Sequence, residues 1–109
     1  MIEIRSSKDW RAAVDAVLAA LRSCHGLNAS VEEIRRLRPG RDNAVVLVQA
    51  GPDGLPARLL LETSGQGIAV SRPCPEGRHE FGGWDFLAEG ASPEAAAKAV
   101  YAGALLAGV

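Results

Sequence analysis

Ala44-Val45-Val46-Leu47-Val48-Gln49-Ala50 decides how this chain is read. The run Val45 to Val48 is apolar at every position and rich in β-branched side chains, which predicts a central strand that is apolar on both faces. Immediately downstream, Gly51-Pro52-Asp53-Gly54-Leu55-Pro56 forces a turn, since proline presets φ and glycine adopts conformations closed to other residues. Residues 57–63 then alternate, with Leu59 and Leu61 on one face against Arg58, Leu60 and Glu62 on the other. Ser64-Gly65-Gln66-Gly67 turns the chain again, and Ile68 and Val70 carry the alternation into a further strand. Trp84 and Phe86, alternating with Asp85 and Leu87, predict a last short strand.

Upstream of the central strand, residues 8–25 place Trp10, Val14, Val17, Leu18 and Leu21 on one side at helical spacing, with Lys8, Arg11, Asp15 and Arg22 on the other. Ser6 or Ser7 can cap this helix and Gly26 can end it. Ser30-Val31-Glu32-Glu33 matches a capping box, with acids first and arginines last, and favours a short helix up to Gly40. The alternative is a hairpin in which residues 31–38 form the first strand and Pro39-Gly40-Arg41-Asp42-Asn43 the turn. At the far end, Ser92-Pro93-Glu94 opens a helix over 93–108 whose Ala96, Val100, Gly103, Ala104 and Ala107 share a small-residue face.

The expected architecture is therefore a single α+β domain over residues 1–109. It has an antiparallel three- to five-stranded sheet, with N-terminal and C-terminal helices packed on one face. A chain of 109 residues with 48% apolar and 23% charged residues can bury one core, and its 5% aromatic content means Val, Leu, Ile and Ala must build it.

A net charge of -1 supplies no overall field to attract nucleic acid or an anionic membrane. Met-Ile-Glu-Ile-Arg shows no export or transit pattern, the Ala/Gly-rich stretch from Ala91 is too weakly apolar to span a bilayer, and the expected location is the cytoplasm. Cys24 and Cys74 are expected as free thiols, Cys24 as a small core residue.

Catalytic and metal chemistry find little support. Cys24, His25, Cys74 and His79 have the right atoms for zinc but not the close paired spacing of structural sites, so no metal and no cofactor are expected. Cys74 sits between two prolines and lacks the flanking pattern of a nucleophile. The glycine pairs do not lie between a strand and a following helix, as a phosphate-cradling loop requires.

Two segments draw attention as binding candidates. Arg35, Arg36, Arg38 and Arg41 form the strongest local charge feature, suited to a carboxylate-rich partner or to phosphate. With no interleaved aromatics for base stacking, nucleic acid is the less favoured ligand. The irregular loop 73–83 gathers Arg78, His79, Glu80 and Phe81 beside Trp84 and could cover a small pocket, with His79, Glu80 and Cys74 as acid, base or nucleophile candidates.

A third signal is the excess of apolar residues facing away from the expected helical layer: half of the central strand, Leu60 and Leu87, with Tyr101 and Leu105 extending the patch. The expected function is accordingly a small non-enzymatic protein-binding module of adaptor, chaperone-like or immunity type. It would act through its sheet and loop on a protein partner or on a second copy of itself as a homodimer.

Overall fold

A computed structural model describes residues 4, 6–38, 41–49, 57–64, 67–73 and 84–107, with the backbone alone for 35–38, 41, 73 and 105–107. It is an α+β structure in the order α1 (Ser7–His25), β1 (Asn28–Arg38), β2 (Arg41–Gln49), β3 (Ala57–Ser64), β4 (Gly67–Pro73), β5 (Trp84–Gly90) and α2 (Pro93–Ala107). The strands form one antiparallel sheet in chain order, β1-β2-β3-β4-β5, so each pairs with its sequence neighbour.

Helix α1 starts where Ser6 accepts a hydrogen bond from the Asp9 backbone N–H at 3.2 Å. It stops at Gly26, whose φ of 66° is the left-handed conformation that a side chain disfavours. The Leu27 N–H then reaches back to the Leu21 carbonyl at 3.2 Å, so the last turn leaves fewer orphan carbonyls. Helix α2 repeats the device, with Ser92 Oγ accepting from the Ala95 N–H at 3.1 Å and Pro93 in the first turn, where no N–H is needed.

Both helices lie on the same face of the sheet, α1 over β1 and β2 and α2 over β3, β4 and β5, and they pack against each other. Trp10, Val14, Val17 and Leu21 of α1 meet Val46 and Val48 of β2, Leu59 and Leu61 of β3, Ile68 and Val70 of β4, and Ala96, Ala97 and Val100 of α2 in one buried cluster. The small residues of α2 let its backbone come close. A Cβ on Gly90 would lie 2.4 Å from the Ala96 nitrogen, and one on Gly103 would lie 2.7 Å from Leu87 Cδ1.

The short helix favoured by the capping-box pattern is not formed: residues 28–38 are the edge strand β1. Its cause lies in the register. Val31 pairs with Val46 but Glu33 pairs with Val45, so Glu32 is an extra residue, a β-bulge. The insertion turns the two-residue rhythm of Ala29 and Val31 into a three-residue step to Ile34, and all three pack toward the core. That step imitates helical spacing. A second shift lies between Arg36 and Arg38.

A bulge also reverses the expected faces of β5. Val70 pairs with Ala88 and Ser71 with Phe86, which leaves Leu87 as the extra residue. Leu87 therefore packs on the core beside Gly103 rather than on the far face, and Phe86 takes the outward position at 65% exposure. Two further expectations are corrected by the helices. Cys24 is exposed, not a core residue. Tyr101 does not extend a far-face patch, because its ring stacks on His25 of α1 with centroids 4.7 Å apart.

Candidate functional site

The face of the sheet turned away from the helices is built from the alternate positions of each strand. Cross-strand pairing lines up one complete row of it: Glu33 on β1, Val45 on β2, Leu60 on β3, Ser71 on β4 and Phe86 on β5. One step along, Ser30, Leu47 and Arg58 form the next row on β1 to β3, and Pro73 pairs with Trp84 on β4 and β5. On the opposite side of the central row lie Asn43, Glu62, Ala69 and Glu89.

An apolar centre of Val45, Leu47, Leu60, Ala69 and Phe86 thus has polar and charged residues at its ends. Among the described residues, no element lies over this face. Leu60 at 8% and Ala69 at 9% exposure sit low among their neighbours, whereas Phe86 stands clear as the exposed large apolar residue of the described set. Val45, Leu47 and Trp84 are half-buried.

The rim is organised by the β1 bulge. Glu32 reaches over β2 to Arg58 on β3, which donates from Nε and Nη2 to the two carboxylate oxygens at 2.8 Å each. Both side chains remain substantially solvated, at 54% for Arg58 and 37% for Glu32, so the fork fixes geometry more than it adds stability. Near it, Asn28, Ala29, Ser30, Leu47 and Gln49 line a shallow depression of about 180 Å³. That is below the roughly 300 Å³ at which small-molecule pockets begin.

The sheet's two edges carry the bulges at Glu32 and Leu87, with Glu32 and Glu33 along β1 and Asp85 and Glu89 along β5. Bulges and charges at an edge oppose the addition of another strand.

The sequence candidates fare unevenly. The β1–β2 hairpin brings the backbones of Arg35, Arg36, Arg38 and Arg41 to one end of the sheet, with Arg35 opposite Asn43, Arg36 opposite Asp42 and Arg38 opposite Arg41. Trp84 opens β5 on the outer face. Arg78, His79, Glu80 and Phe81, like Cys74, lie outside the described residues. Among the described residues, no three of His, Cys, Asp and Glu gather as metal ligands, and no helix is long and apolar enough to cross a membrane.

Sequence reasoning singled out Leu60 and an apolar second face of the central strand but missed Phe86 and the Glu32–Arg58 fork. The signal for Phe86 is its polar neighbour Asp85 followed by two apolar residues, Leu87 and Ala88, which breaks strict alternation where the bulge falls. Compared with protein-family profiles, curated proteins and solved structures, the chain matches none.

Proposed function

We propose that this chain is a non-enzymatic protein-binding module of adaptor, chaperone-like or immunity type, which recognises a protein surface through the outer face of its sheet. The observation that carries the reading is Phe86, a large aromatic ring 65% exposed at the end of a row that includes Val45 and Leu60. Aromatic residues anchor protein interfaces, and an apolar centre with a polar rim is their usual anatomy. Arg58 and Glu32 supply such a rim on one side, Glu62 and Glu89 on the other. The blunted edges favour recognition by the face over strand addition.

Site-specific photo-crosslinking in cells that make the protein tests this. A photoreactive residue at position 86 should capture a protein, and the adduct should vanish when Leu47→Asp places a charge on the same face. The same probe at Arg11 or Lys98, exposed on the helices, serves as the control. Adducts from the helical positions and none from position 86 would remove the reading.

A further inference from the structure

Resting on the proposed binding face, we infer that its occupant is a second copy of this chain, seated face to face about a two-fold axis that runs along the row Val45–Leu60–Ser71–Phe86. The argument is one of charge and symmetry. On β3, the central strand, Arg58 and Glu62 stand one outer-face position either side of Leu60. A two-fold axis along the row reverses the strand direction of the second sheet, which brings Arg58 over the partner's Glu62 and Glu62 over the partner's Arg58.

Residues on the axis meet their own copies. Those are Val45, Leu60 and Phe86, where like meets like as apolar side chains, and the small, buried Ser71, while the row's acidic end, Glu33, lies on edge strand β1 within reach of water. The competing two-fold axis, along β3, would set Arg58 over the partner's Arg58 and Glu62 over the partner's Glu62. Charge selects between the two.

Two further features fit. Glu32 already holds the Arg58 guanidinium in place by two hydrogen bonds, so a second carboxylate can approach a preset group. Among the described residues, no ion pair within the chain engages Glu62. Stacked sheets lie ~10 Å apart and cross at about 30°, so alignment is best kept at the middle strand, where these two charges stand.

The size of the face reaches the lower end of what a stable interface needs. Strands ~4.8 Å apart and about eight residues of ~3.3 Å give a five-stranded face a projected footprint of about 600 Å². Standard interfaces take about 600–1,000 Å² from each partner.

Sedimentation equilibrium on the full chain, with Arg58→Glu, Glu62→Arg and an equimolar mixture of the two variants, tests the inference. Wild type should weigh twice the chain mass. Each variant alone should dissociate at least about tenfold more readily, because its two symmetric contacts become like-charged. The mixture should regain the dimer. There the carboxylate introduced at position 58 of one variant would face the guanidinium introduced at position 62 of the other, while the second contact keeps its native Glu62 and Arg58. This recovery also shows that both variants fold. A wild type that stays monomeric, a dimer indifferent to both substitutions, or a mixture that fails to associate overturns the second-copy inference. The broader reading is judged separately: a position-86 adduct with a different protein keeps the binding face and discards the self-partner.

Discussion

Glu32 and Arg58 belong to strands that are not neighbours, yet the guanidinium grips both carboxylate oxygens at 2.8 Å across the intervening β2. The bulge at Glu32 makes this possible, by giving β1 one more residue than β2 opposes and supplying an additional side chain near the rim. The fork ties an edge strand to the central one without a backbone hydrogen bond between them.

A double-mutant cycle of Glu32→Ala and Arg58→Ala, read by urea unfolding at a protein concentration low enough to keep the chain monomeric, should give a coupling of about 0.5 kcal/mol. Solvation of both groups sets this ceiling, and added salt should reduce it. A coupling above about 2 kcal/mol would mean that the pair is far better shielded than its exposure shows.

Trp10 is fully buried and donates its indole N–H to the Asn43 carbonyl at 3.1 Å, joining α1 to β2. Trp10→Phe removes that bond and part of the ring and should cost about 2 kcal/mol, and Trp10→Ala about 3–5 kcal/mol, in the urea unfolding free energy. Equal losses for the two variants would show that the hydrogen bond, not the packing, dominates.

Two glycines should respond differently to the same change. Gly90→Ala drives a methyl group against the backbone of Ala95 and Ala96 and should cost about 2 kcal/mol or more, because neither wall can turn aside. At Gly26 there is open space, so Gly26→Ala should cost about 1 kcal/mol from its left-handed φ alone. Thermal unfolding of both variants reads the contrast, and a larger loss at Gly26 would contradict it.

Phe86→Ser should separate folding from association. The ring is mostly solvated in the single chain, so unfolding should shift by no more than about 0.5 kcal/mol, while capture or self-association through the outer face should be lost. A variant that keeps full association would clear Phe86 of any part in it.

How far the fold was legible follows from where the chain keeps a single rhythm. Trp10, Val14, Val17 and Leu21 recur at helical spacing from Ser6 to Gly26, and the structure caps α1 at those two residues. Leu59 and Leu61 alternate against Arg58, Leu60 and Glu62 without interruption, and β3 sorts them onto two faces as expected. The two misreadings in the sheet, the helix in place of β1 and the face of Leu87, lie at the bulges at Glu32 and Leu87. An inserted residue shifts every later position to the other face, and no local propensity announces it. The candidate face was visible as apolar excess in the central strand and in Leu60. Its most exposed member, Phe86, was hidden because an aromatic in a strand is expected to point into a core.

Because every ladder joins strands adjacent in sequence, the meander can assemble hairpin by hairpin as the chain is synthesised. Its inner side cannot dry at that stage. Ala96, Ala97, Val100 and Ala104, which wall off Leu59, Leu61 and Ile68, leave the ribosome after all five strands. The nascent protein therefore passes through an interval with the oily inner side of the sheet open to water, and α2 is the piece whose arrival ends that exposure.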